Sequence, residues 1–358
     1  MHRREFLAGL ASLALPLPAL SSSTVRGTPE DRPRAVMLAA AADAGGPFFT
    51  AVDGATLRTP GRGHGMLPLP NVPELILVAR RPGYWMWRVN WRSGQALAKT
   101  IAAPDRHFFG HAILSPDGRS LFTTENNIAT GQGLIGIYDS ASLTRLGEIP
   151  SHGIGPHELL WLDPGKVLAV ANGGILTLPE TGRLKLNLEH MAPSVVLIDM
   201  PSGRLMQEHI LDDRSLSLRH LARCTDGTLG IAIQAESPDG REIADAPLLA
   251  ILRDGRLSLA EAPPGLGGYG ASIVAHDDRF LVTALQSDTI VQWSSHGDVV
   301  RETGLRRPAG LATVDGQVLV SNELGTIARL DPDNGRLTAV IEAPGIRWDN
   351  HLAIVRHS

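Results

Sequence analysis

Thirteen histidines against a single cysteine set the chemistry open to this 358-residue chain. With one thiol, Cys224, an intrachain disulfide and any thiolate cluster are excluded, so a metal site here must be built from imidazole and oxygen. Five histidines stand out because they return at one place in a repeating pattern: His64, His111, His157, His220 and His351. Neutral imidazoles in such a set suit Fe, Cu, Ni or Zn, with Glu125 or Glu323 as the oxygen donors expected to assist. The same residues, titrating near neutral pH at an accessible face, can instead move protons or hold a substrate. A third reading makes them structural hydrogen-bonding residues, one per repeat. No Gly-x-Ser-x-Gly nucleophile elbow occurs, and Gly131-Gln132-Gly133 is too short for a phosphate loop.

The elements that must position these histidines follow from the repeat. Gly110 to Ser115 reads as a strand entering the tight turn Pro116-Asp117-Gly118. A second strand (120–124), a polar loop (Glu125, Asn126, Asn127), a third strand (134–138) and a fourth (145–149) follow within about 45 residues, which is one blade of a β-propeller. Equivalent starts fall at His64, His111, His157, His220, Ala271, Ala309 and His351, at intervals of 47, 46, 63, 51, 38 and 42 residues. A two-domain β-sandwich lacks such fixed-offset repetition. The last repeat is cut short, and residues 35–42, 48–52 and 56–59 supply the strands it lacks, with a hairpin at Val52-Asp53-Gly54. The expected fold is therefore all-β: a seven-bladed β-propeller whose N- and C-terminal strands close the last blade. The 38 Gly and 25 Pro fit the turns such a ring needs.

In an up-and-down blade the start of strand one and the loop between strands two and three share a face. That places the five histidines at the mouth of a central channel, beside polar loops carrying Arg80, Glu125, Asn126, Asn172, Glu236 and Glu323. The long interval of 63 holds an extra segment near Ile175 to Ala192, between the second and third strands of its blade. The aromatics alternating along Tyr84 to Trp91 are expected to pack between blades.

A net charge of −4, a pI near 6.3 and no basic block argue against a nucleic-acid or acidic-membrane surface. The chain opens with Arg3-Arg4-Glu5-Phe6-Leu7, an apolar run to about Ala19 and the small residues Ser21 to Ser23. This reads as an export signal over residues 1–25, followed by a single propeller domain over 34–358. Its Arg pair before Phe-Leu resembles the twin-arginine motif, which carries folded proteins to the periplasm. No cysteine near the cleavage region offers a lipid anchor, and a monomer is expected.

The Gly-His of Gly110-His111 resembles WD-repeat blades, in which that His is structural, although only Ile137-Tyr138-Asp139 echoes their Trp-Asp partner. Over nearly the whole mature chain, the twin-arginine leader, the Gly-His-x-x-x-Ser-Pro-Asp-Gly blade and the Asp349-Asn350-His351-Leu352 ending resemble a family of periplasmic propellers of unknown function. That family accompanies imelysin-type iron-uptake proteins. The resemblance implies a part in iron acquisition: a His-rich face that binds Fe, or Cu as second choice, or a metal-linked periplasmic partner. Pro156-His157 and Pro116-Asp117-Gly118 also resemble lactonase-type propellers, which implies a hydrolase as the alternative. A non-catalytic scaffold docking other proteins through its loops is the third class.

Overall fold

The computed structural model describes residues 35–356, apart from 52–53, 183, 240 and 242, together with a two-residue strand at Pro16–Leu17. The Arg3-Arg4 leader, Val52-Asp53 and His357 lie outside the described residues.

Apart from two short 3-10 turns, the described secondary structure is strand. Blade two shows how the sequence builds each unit: Arg106–Leu114, Ser120–Asn127, Gly133–Asp139 and Arg145–Pro150 pair in antiparallel order. The turn between the first two is set by Ser115, whose carbonyl accepts from the Gly118 N–H and whose hydroxyl donates to Asp117. Gly118 takes the left-handed φ of 72° that this turn requires. The fourth strand alternates half-buried and exposed residues, as an outer edge should, whereas the middle strands are mostly buried and expose none of their residues.

Each sheet has two faces, and each face is covered by the neighbouring blade. Among the described residues seven apolar clusters result, one for every interface between consecutive blades around the ring. Trp85 and Trp87 of blade one pack with Phe49 and Leu57 of blade seven, which is where the alternating aromatics were expected to go. Ring closure is as the truncated last repeat implies. The C-terminal strand Arg347–Arg356 is the innermost strand of blade seven and pairs antiparallel with Ala35–Asp43, followed outward by Gly46–Ala51 and Thr56–Arg58. Closure leaves no blade with an uncovered face.

One local feature recurs at every innermost strand. Pairing with the second strand slips at Gly63/Met66, at Pro156/Glu158, at Leu218/Leu221, opposite Thr123/Glu125 in blade two and opposite Ala39/Ala41 in blade seven. The residues left over in these bulges contain His64, His157, His220, His111 and His351 in turn. A bulge bends its strand and re-aims a side chain. Blades five and six slip at the same level but carry Ala271 and Ala309 there.

A candidate metal centre on the propeller axis

The bulges turn five imidazoles toward the axis. The expectation that they line the surface of the mouth is corrected here: several innermost strands begin four or five residues before the His, so the rings lie inside the channel. His64, His111, His157 and His220 are 3–6% exposed. With His351 included, nine of the ten pairs of ring centroids lie 4.4–6.0 Å apart. One nitrogen from each of His64, His111, His157 and His220 lies within 4.8 Å of the other three. A tetrahedral ion with metal–nitrogen bonds of about 2.0–2.1 Å needs nitrogens about 3.3–3.4 Å apart. His157 Nε2 and His220 Nε2 already stand at 3.3 Å. His351 packs its ring against the group, 4.4 Å from His64 and 4.7 Å from His220.

Glycine permits this crowding. A Cβ on Gly65 would lie 2.2 Å from the Gly110 carbonyl oxygen, and one on Gly110, itself at φ +117°, would lie 2.7 Å from the His64 ring. Larger residues there would push the first two blades apart.

Two carboxylates orient the rings. Asp349 is completely buried, which by itself would raise its pKa. Arg80, the His64 hydrogen bond and Arg62 outweigh that and hold it well below the usual carboxylate range. It is therefore ionised and accepts from His64 Nδ1–H at 3.1 Å. Glu158 accepts from His220 Nδ1–H at 3.1 Å and from the Leu221 N–H at 2.9 Å, and stands 3.6 Å from His111 Nδ1. With the proton held on Nδ1, Nε2 of His64 and of His220 each carries a lone pair, and that of His220 accepts from His157 Nε2–H until an ion takes its place. This is the carboxylate–histidine arrangement that orients metal ligands.

Burial and mutual repulsion keep the rings neutral. Desolvation first, then the charges of Arg219 and Arg80, push His220 down to about 3. Desolvation and His220 do the same to His351, also to about 3. His64, His111 and His157 are likewise held well below their ordinary value, with burial as the largest cause. Neutral imidazole is the ligating form. Two of the nitrogens, His111 Nε2 and His351 Nε2, are buried without a hydrogen-bond partner among the described residues. A purely structural histidine should have its ring nitrogens satisfied, because an orphaned buried polar atom costs about 1–3 kcal/mol. The donor set therefore fits a first-row transition ion.

The polar loop residues expected nearby are distributed differently. Glu125 is buried inside blade two, where it accepts from Tyr138 Oη at 2.7 Å, Thr123 Oγ1 at 3.0 Å and Arg145 at 3.2 Å. Asn126 is buried on the same strand and donates to the Asn127 carbonyl. Asn172 ties Ser151, in the connection from blade two, to Ser194 of blade three. Glu323 pairs with Arg307 and Arg347. Glu236 receives Arg219 at 3.0 Å and Lys185 of the inserted segment. Of that set, Arg80 comes nearest the centre, 3.8 Å from Asp349. The carboxylates facing the imidazoles are Glu158 and Asp349, which the repeat did not single out. Glu158 directly follows His157 and in a regular strand would point the opposite way. The bulge at Pro156/Glu158 brings both toward the channel.

Above the imidazoles the channel opens into a small pocket lined by His64, His157, His220, Arg80, Arg81 and Arg219, with Gln234, Tyr269 and Asn350 completing the rim. Its free space is about 10 Å³, enough for one water molecule or one ion.

These features define a closed β-propeller with a buried, carboxylate-oriented histidine centre on its axis. The chain belongs to the family described as "Protein of unknown function (DUF1513)", whose model matches residues 57–355. No curated protein sequence matches it. Among solved structures it is similar to Kuenenia stuttgartiensis hydrazine synthase, with a TM-score of 0.57, 12% identity, and 83% of this chain covering 90% of that one. It is also similar to virginiamycin B lyase from Staphylococcus aureus, with a TM-score of 0.56, 13% identity and coverage of 77% and 83%. A streptogramin B lyase matches with a TM-score of 0.54, 13% identity and coverage of 78% and 83%. At such identities the likeness is one of fold.

Proposed function

We propose that this protein is a periplasmic binder of a first-row transition ion, held by His64, His111, His157 and His220 with His351 alongside, and that it serves iron acquisition with other periplasmic uptake proteins. The observation that carries the reading is the buried group of four imidazole nitrogens within 4.8 Å, in a set whose His111 Nε2 is otherwise unpartnered. The periplasm and the iron-uptake setting are supported by the Arg3-Arg4 leader and the family resemblance, and Fe is placed before Cu on that ground. A bound ion would supply Lewis acidity or a redox couple. The chain's own part is to keep five imidazoles neutral, to hold the Nδ1–H groups of His64 and His220 against Asp349 and Glu158, and to exclude all but about one water-sized ligand from the pocket.

The test is elemental analysis of the mature protein exported by its native route, with titration of metal-free protein by Fe(II), Cu(II) and Zn(II). Near-stoichiometric binding is expected, and its loss in a His111→Ala/His157→Ala variant that still folds. A wild-type protein that takes up none of the three ions overturns the reading.

A further inference from the structure

The guanidinium groups above the histidines have no counterpart in a site meant for a cation alone. Arg80, Arg81 and Arg219 all line the small pocket, and none is more than about a tenth exposed: the Arg80 side chain is 11% exposed, Arg81 8% and Arg219 4%. The carboxylates paired with Arg80 and Arg219 are shared with other groups. Asp349 is shared between Arg62, Arg80 and the His64 hydrogen bond. Glu236 is shared between Arg219 and Lys185. Arg81 lies over the Phe109 ring at 5.8 Å. Glu158 is engaged by His220 and Leu221 at the imidazoles, and Glu323 by Arg307 and Arg347. The lining of the pocket holds these three guanidinium groups and no carboxylate, and an ion on the histidines would add more positive charge. Three guanidinium groups gathered in one buried place favour an anion between them. Arg219 Nε, moreover, is buried with no hydrogen-bond partner.

We propose that Arg80, Arg81 and Arg219 form a binding site for a small oxyanion, carboxylate or phosphate in type, seated on the mouth of the channel directly above the histidine centre. Guanidinium groups match such oxygens bidentately. The free space between the arginines and the imidazoles admits about one ligand atom. One oxygen therefore reaches inward, where it can share an ion held by the histidines, while the rest of the anion stays in the open mouth. Gln234 and Asn350 on the rim offer further polar groups, and Tyr269 hydrogen-bonds Arg80. This deepens the metal-centre reading in making the oxyanion the ion's partner, but the arginine collar exists without the ion.

Binding of inorganic phosphate and of citrate to metal-free protein, measured by titration calorimetry in chloride buffer, tests the site. Wild-type protein is expected to bind at least one of the two. Arg219→Gln and Arg81→Gln, each checked for retained fold by thermal unfolding, are expected to weaken binding by about tenfold or more, as loss of a charge-assisted hydrogen bond implies. Preference for phosphate marks an inorganic oxyanion, and preference for citrate an organic acid; either supports the site. If neither anion binds, or if both arginine variants bind as wild type does, the proposal is overturned. The metal-centre reading is judged separately by ion titration without oxyanion. Oxyanion binding without ion binding would overturn that reading alone. If both bind, each should raise the affinity of the other by the same factor.

Discussion

Holding the centre neutral makes the metal-free protein sensitive to acid. His220 titrates at about 3 in the fold, against an ordinary value of 6.5. Between those two pH values the unfolded chain binds a proton that the folded chain refuses, so stability rises with pH and is lost as the pH falls from about 7. At pH 5 the difference is about 1.5 units at this one residue, or about 2 kcal/mol. His351, also at about 3, and His64, His111 and His157 shift in the same direction. Glu158, raised by burial, acts with the opposite sign, since the folded form takes up its proton first. Total stabilities of domains are about 5–15 kcal/mol, so a loss of more than about 2 kcal/mol is large enough to resolve. The assay is urea unfolding of metal-free protein at pH 7.5 and pH 5, for wild type and for His220→Asn, which cannot protonate. Wild type should lose more than about 2 kcal/mol on acidification, and the variant about 2 kcal/mol less than wild type. Equal losses in the two proteins, or wild-type stability that holds constant to pH 5, would refute a buried neutral cluster.

Three further outcomes follow from the geometry. Gly110→Ala places a Cβ 2.7 Å from the His64 ring at a φ of +117°, so it should cost about 1–3 kcal/mol in thermal or urea unfolding and weaken ion uptake by displacing His64. Glu158→Gln keeps the shape but weakens the acceptor for His220 Nδ1–H; ion affinity should fall about 10–100-fold in titration while the fold persists. Deleting residues 347–358 removes the innermost strand of blade seven with Trp348 and His351, and should abolish cooperative unfolding, read by circular dichroism.

The ring itself was legible because a propeller repeats locally. The Asp-Gly turns, the spacing of the starts and the truncated last repeat are properties of neighbouring residues, and they led to seven blades, a closing C-terminal strand and an insertion in blade three. The inserted segment does lie between Asn172 and Ser194, where it sends Lys185 to Glu236. The polar set was less legible. Glu125 serves Tyr138 and Arg145 inside its sheet, and Asn172 serves Ser151 of the connection from blade two and Ser194 of its own blade. Sequence periodicity places a residue on a strand or loop but does not say which neighbour satisfies its buried polar atoms.

The sequence alone determined that five histidines occupy one equivalent position in five of seven repeats. Tertiary structure decided what that position is. Bulges drew the rings off the mouth and into the channel, and the groups that hold them came from other blades: Glu158 of blade three grips His220 of blade four, 62 residues on, and Asp349 of blade seven grips His64 of blade one across 285 residues. Arg80, Arg81 and Arg219 meet over the centre in the same way. Such contacts have no local signal, because the short range of a hydrogen bond or an ion pair is measured in space, and only closure of the ring brings these distant stretches of chain to one axis.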